Sequence, residues 1–262
     1  MTLRPLLGSQ QLDARFDGAS QRLRVRGIVV WRAADGSLLC RNEGIGTDFV
    51  GRSSAATIYD SNGLSGTLAA SEPAFTSVDW DRDGTREAEA LLLSDEEALR
   101  MYDRVTGRLL WDTSPKTIRL DWIETGAALV SDAPYWSFTT DAATGAYLAV
   151  LGGGDGTVLI EHYNGTSAVA SALAVTSGDC YSLRAIYDAD GSVQAHLVRN
   201  GAAREVSGPR SAALTPAATW GGGGATICRL NEFGNASRGE QLARYLAVYG
   251  AVLTRQQLME VL

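Results

Sequence analysis

Short runs of alternating apolar and polar residues, broken by glycine and asparagine, dominate the chain and are sharpest in its last third. Tyr181-Ser182-Leu183-Arg184-Ala185-Ile186-Tyr187 puts every second side chain on an apolar face, which predicts a half-buried strand. Asp188-Ala189-Asp190-Gly191 supplies a turn with glycine at a positive-φ position. A second alternating run over 192–199 ends in Asn200-Gly201, a strong hairpin signal. Upstream, 107–111, 117–123, 137–140, 146–151, 157–163 and 171–175 continue the series, with turn signals at 143–145, 152–156 and Asn164-Gly165. Regular short strands of this kind predict an all-β, two-sheet jelly-roll β-sandwich over 90–262. Residues 94–102 read either as a helical turn, capped by Ser94 with Glu97 in the capping box, or as a strand over 98–102. Before them, 51–89 reads as a linking segment of two hairpins.

The first 50 residues alternate through Arg22-Leu23-Arg24-Val25-Arg26 and then become continuously apolar at Ile28-Val29-Val30-Trp31. They form an N-terminal β arm or small β unit, too short to bury its own apolar run because a lone hairpin is marginal in water. Arg22, Arg24 and Arg26 fall on one strand face. With Trp31 they are candidate interface residues, since guanidinium groups pair bidentately with carboxylates on other copies of an acidic chain. That predicts a homo-oligomer of identical subunits, with a trimer as one form.

Composition narrows the function classes. A net charge of −7 over 262 residues argues against nucleic acid, which rewards basic stripes. No apolar run approaches the ~20 residues of a membrane helix, so membrane insertion is not expected. The opening Met1-Thr2-Leu3-Arg4-Pro5 lacks the apolar segment of a signal peptide, which predicts synthesis and folding in a host cytoplasm. Cys40, Cys180 and Cys228 have no CxxC spacing and are an odd number, so buried free thiols are expected, with a Cys180–Cys228 bridge if their strands adjoin.

Three constellations bear on chemistry. Asp79, Asp81 and Asp83 before Gly84 have the opening of a calcium loop, but Ala90 stands where the closing Glu belongs; the alternatives are a calcium site or a solvated hairpin turn. Paired carboxylates along a strand, as a glycosidase needs, are not present, and His162 and His196 have no acidic partner nearby in sequence, so no catalytic residue and no enzyme activity is expected. Trp80, Tyr135, Trp136 and Trp220 fall in or beside expected loops, where exposed rings stack on sugars, so they are candidate glycan-binding residues; core filling is the other reading.

Two resemblances add to this. The order of Asn200-Gly201, the glycines 221–224, the strand 225–230, Gln241 to Tyr249, then Leu253-Thr254 and a short helix resembles the ending of concanavalin A-like (laminin G-like) jelly-roll domains. It implies that sandwich, which hosts lectins, hydrolases and structural modules alike. Ala56-Thr57, Asp60, Gly63, Glu72-Pro73, Phe75, the acidic turn 79–84 and Ala90-Leu91-Leu92-Leu93 resemble a pattern in virion proteins of tailed bacteriophages, with Ala74 replacing its usual arginine. It implies a non-enzymatic structural protein of a phage or phage-like virion, decorating the capsid or associated with the tail or fibre. Its partners would be other virion proteins; the alternative is a lectin-like module that binds cell-surface glycan.

Overall fold

The computed structural model describes residues 16–17, 22–23, 27–34, 37–38, 45–50, 56–59, 74–79, 84, 88–93, 98–103, 113–139, 145–220, 227–231, 233 and 240–261. Its strands are β1 (Phe16–Asp17), β2 (Arg22–Leu23), β3 (Gly27–Ala34), β4 (Ser37–Leu38), β5 (Ile45–Val50), β6 (Ala56–Tyr59), β7 (Ala74–Val78), β8 (Ala88–Leu93) and β9 (Ala98–Asp103). They are followed by β10 (Lys116–Ile123), β11 (Ser131–Thr139), β12 (Tyr147–Gly153), β13 (Thr157–Tyr163), β14 (Ala168–Ala174), β15 (Cys180–Tyr187) and β16 (Val193–Arg199). The chain ends with β17 (Val206–Ser207), β18 (Ile227–Leu230), β19 (Gln241–Tyr249) and helix α1 (Arg255–Val261). The segment 98–103 is strand rather than helix: β9 pairs with both β5 and β18.

Two antiparallel sheets make a β-sandwich. The first runs β17-β16-β15-β10-β19-β3-β4, with β8 also on β19 and β7 on β8. The second runs β14-β13-β12-β11-β18-β9-β5-β6. Strands of the first 50 residues enter both sheets, β3 alongside β19 and β5 alongside β9. No helix among the described residues is long and apolar enough to cross a membrane.

Period-2 alternation builds the core. Ile118, Leu120 and Trp122 of β10, Leu183, Ala185 and Tyr187 of β15, and Leu246 and Val248 of β19 turn inward from the first sheet. Trp136, Phe138, Leu148, Val150, Val158 and Ile160 meet them from the second. Each fully buried Leu, Ile, Val or Phe side chain among them contributes about 1.5–3 kcal/mol. The expected hairpin closes as a primed turn: Asn200 and Gly201 have φ of 48° and 67°, and the Ala202 N–H donates to Arg199 O at 2.9 Å. Gly191 has no substitute for a second reason, since a Cβ there would lie 1.8 Å from the Leu214 carbonyl oxygen. A reciprocal capping box opens α1: the Gln257 N–H donates to Thr254 Oγ1 at 3.2 Å and the Thr254 N–H to Gln257 Oε1 at 2.8 Å.

Candidate functional site

The edge of the second sheet brings ring faces, hydroxyl groups and a carboxylate together on its outward side. Leu148, Val150, Val158 and Ile160 face the core, so Tyr147 of β12 and Thr157, Leu159, Glu161 and Tyr163 of β13 face outward. The turn at Asn164-Gly165 sets the next register: the Thr166 and Ser167 N–H groups both donate to Asn164 Oδ1 at 3.0 Å. It brings Tyr163 opposite Ala168, Glu161 opposite Ala170, Leu159 opposite Ala172 and Thr157 opposite Ala174. Val169 and Leu173 pack against the core, and the four alanines are exposed. The result is a shelf of methyl groups on edge strand β14, walled along one side by the outward residues of β13.

Aromatic rings close one end of that wall. Tyr147 and Tyr163 are cross-strand partners with ring centroids 5.3 Å apart, and Phe233 meets Tyr147 edge-to-face at 4.7 Å. Such pairs are worth ~0.5–1.5 kcal/mol beyond the area they bury. The Tyr147 hydroxyl donates to Glu161 Oε1. Burial first, then that hydrogen bond and the charges of Glu161 and Asp132, push the Tyr147 hydroxyl well above the usual phenol range. It is therefore a neutral donor at every ordinary pH. Glu161 Oε2 and the Tyr163 hydroxyl have no hydrogen-bond partner among the described residues, so the shelf offers an acceptor, a hydroxyl and ring faces together.

The outward face of the first sheet is different. A cavity of about 120 Å³ is lined there by Arg119, Ser182, Arg184, Glu205, Arg255 and Leu258. Its cations are engaged within the chain. Arg119 holds Asp121 through two bonds, at 3.0 and 2.8 Å. Arg184 grips both Glu205 oxygens at 3.0 and 2.6 Å and donates to Leu253 O at 2.9 Å. Arg255 donates to the carbonyls of Ala202 and Ala203. Beside this network, burial and the Arg184 charge hold the His196 imidazole below its usual range, while Glu205 opposes them.

The structure corrects one expectation directly. Tyr135, Trp136 and Trp220 are 1%, 0% and 1% exposed, so they are core residues and present no face to a sugar. Trp136 stacks edge-on with Phe138 at 4.6 Å, Tyr135 with Trp122 at 5.4 Å, and Trp220 lies 5.5 Å from Tyr187. Trp80 lies outside the described residues, as do Asp81 and Asp83. Asp79 Oδ2 accepts the Gly84 N–H at 2.9 Å. Among the described residues no three His, Cys, Asp or Glu side chains are placed to share a metal ion. Arg22 is in β2 and Trp31 in β3 opposite Leu246, while Arg24 and Arg26 lie outside the described residues. Cys180 is a buried free thiol on β15 of the first sheet, whereas Cys228 stands on β18 of the second. His162 is a core histidine: its Nδ1 lies 2.7 Å from Gly191 O, which only accepts, so Nδ1 carries the proton.

Sequence reasoning missed Tyr147, Glu161 and Tyr163. Their signal was a glutamate in the middle of an otherwise apolar alternating strand, with a tyrosine closing that strand and another opening the one before it.

No protein-family model matches the chain, and no curated protein matches it. Solved structures do. A structure described as HCR/D-Sa-GBL1/C is similar at TM-score 0.50 and 7% identity, over 89% of this chain and 51% of that one. Domain 4 of AbnA, a GH43 extracellular arabinanase from Geobacillus stearothermophilus in complex with arabinotriose, is similar at TM-score 0.48 and 14% identity, over 72% of this chain and 86% of that one. A carbohydrate esterase from Shiga toxin-encoding bacteriophage phi24B is similar at TM-score 0.41 and 15% identity, over 70% of this chain and 89% of that one. The chain spans about half the length of the first of these. At such identities the likeness is one of fold.

Proposed function

We propose that this chain is a non-enzymatic carbohydrate-binding sandwich domain of a phage or phage-like virion, and that it binds glycan on the shelf of β14 against Tyr147, Glu161 and Tyr163. One observation carries the reading: a neutral tyrosine hydroxyl and a carboxylate oxygen converge beside a second tyrosine, along an exposed strip of alanines. Sugars present apolar C–H faces and a rim of hydroxyl groups. Ring faces take the first, and a carboxylate with spare acceptor capacity takes the second. The strip adds room, because alanine methyls project little beyond the strand.

The virion setting is supported by the sequence pattern between Ala56 and Leu93, and the Arg22, Arg24, Arg26 and Trp31 segment remains the proposed contact between identical subunits. A particle would then display many copies of a weak sugar site, and avidity would supply the affinity that one site lacks.

A glycan array probed with the full chain, beside a Tyr163→Ala variant, tests the binding reading. Tyr163 is half-buried at a strand end, so the variant is expected to fold, with a urea midpoint lowered by the loss of its ring pair with Tyr147, worth ~0.5–1.5 kcal/mol. Loss of one stacking ring should weaken binding about tenfold, the equivalent of ~1.4 kcal/mol. Unchanged binding by the variant would remove the site from this face. An antibody against the chain that fails to mark particles from the producing strain would remove the virion setting.

A further inference from the structure

We propose that the shelf selects extended chains of neutral or amino sugars and rejects acidic ones, a reading that rests on the glycan-binding role above. Charge and shape together point there. Glu161 gives Oε1 to the Tyr147 hydroxyl, and the group left facing outward, Oε2, accepts only. Its ligand must therefore donate, through a hydroxyl, an amide N–H or an ammonium. Asp132 adds a second negative charge: it is exposed at the start of β11, and its field reaches the Tyr147 hydroxyl. Among the described residues no lysine, arginine or histidine lies on the outward face of β12, β13 or β14; His162 of β13 points into the core. A sialic acid or uronic acid placed here would bring its carboxylate beside Glu161 with no counter-charge.

The register shows how far the nearest arginine of this row stands. Glu161 pairs with Ala149, Ala149 with Ser137, and Ser137 with Arg229 of β18. Three inter-strand steps of about 4.8 Å put that backbone position about 14 Å away. Length follows from the same geometry. Ala168 to Ala174 spans six residues at about 3.4 Å each, so the shelf runs for about 20 Å, several times the width of one pyranose ring. Nothing larger than a methyl interrupts it, which fits a linear oligosaccharide rather than a single terminal sugar.

The test uses three linear oligosaccharides of equal length: an N-acetylated neutral one, its de-N-acetylated cationic counterpart, and an oligouronide. A glycan array spanning neutral, amino and acidic chains runs beside them, and affinities are measured at 20 and 300 mM salt. Expected are binding of a neutral or amino chain, at least tenfold weaker binding of every acidic chain, and a cationic preference that fades at high salt. Glu161→Gln should weaken the cationic preference at least severalfold, leaving the smaller contribution of Asp132, while its urea midpoint stays near wild type, since the amide oxygen still accepts from Tyr147. An acidic chain that binds as tightly as a neutral one, with that binding lost in Tyr163→Ala, overturns the selectivity and leaves the site standing. A protein that binds none of the probes overturns both.

Discussion

Replacing Glu124 with alanine should be among the most damaging single changes in the described body. Glu124 follows β10 and is 1% exposed, and four donors converge on it. Trp122 Nε1 donates to Oε2 at 3.2 Å and the Tyr135 hydroxyl donates to the same oxygen. The Gly126 and Ala128 N–H groups donate to Oε1 at 2.8 and 3.2 Å. Burial, reinforced by the charge and hydrogen bond of Glu124, keeps the Tyr135 hydroxyl protonated at any working pH, so it remains a donor. Alanine leaves all four without an acceptor. An unpaired buried donor costs ~1–3 kcal/mol, so the two side-chain donors alone bring the expected loss to about 4 kcal/mol. For a chain of this size ~2–4 °C accompany each kcal/mol, which predicts a Tm lower by about 8–16 °C. Glu124→Gln separates the contributions. Its oxygen still serves the two backbone donors, and its NH2 faces Trp122 and Tyr135. The tyrosine can turn its hydroxyl to accept, but the indole cannot, so one donor is lost at ~1–3 kcal/mol. Urea midpoints for both variants and for Tyr135→Phe close the cycle, and Glu124→Ala with Tyr135→Phe should cost less than the sum of the two. A Glu124→Ala loss below about 1 kcal/mol would refute the reasoning, because the donors would then have found other partners.

Buried His162 and His196 are both held below the usual imidazole range, mainly by desolvation. The unfolded chain therefore binds more protons near its pKa of ~6.5, and stability present above that pH is lost as pH falls through it; Tm measured from pH 7.5 to 5.5 should drop, and His162→Phe should flatten the curve. Gly201→Ala forces an L side chain to adopt a φ of 67°, at a cost of ~1–2 kcal/mol seen as a lower urea midpoint; an unchanged midpoint would mean the turn reshapes freely. Arg184→Met removes the charge that depresses His196 while leaving Glu205, so the His196 titration followed by NMR should move up, and the amides of α1 should exchange faster once Leu253 O loses its donor.

The sandwich was legible because its strands alternate cleanly and its turns carry their own chemistry. Asn200-Gly201 closes a hairpin whose strands pair Tyr181 with Arg199 and Tyr187 with Val193, the alternation seen in the sequence. The aromatics were not legible, for a local reason. Register shifts in β11 on either side of Pro134 interrupt the period of two, so consecutive Tyr135 and Trp136 both reach the core. Strict alternation would have turned one of them outward. Trp220 sits far along an irregular connection, and only the folded chain brings it to His162 and Tyr187. The shelf was hidden for the complementary reason. Tyr147 and Tyr163 are 16 residues apart, and they become neighbours through a register that no single strand encodes.

The two outward faces of the sandwich differ in what a ligand would have to displace. On the first sheet the C-terminal segment is bonded down: Thr117 Oγ1 donates to Ala251 O and accepts the Leu253 N–H, both at 2.8 Å. Leu258 of α1 is buried there, and Arg184 ties Glu205 to Leu253 in the same layer. A ligand that drew on the cations of that cavity would have to break bidentate ion pairs, and leaving one buried partner of such a pair alone is strongly destabilising. On the second sheet, β14 is an edge strand whose outward residues are four alanines without a polar group to desolvate. The adjacent carboxylate already has its Tyr147 bond and needs only one more donor. Binding on this side breaks no contact of the fold. The free energy of stacking and of the new hydrogen bond therefore appears in affinity instead of being offset by repair of the protein, which is why the edge of the second sheet, and not the larger charged network, is the place to look for a ligand.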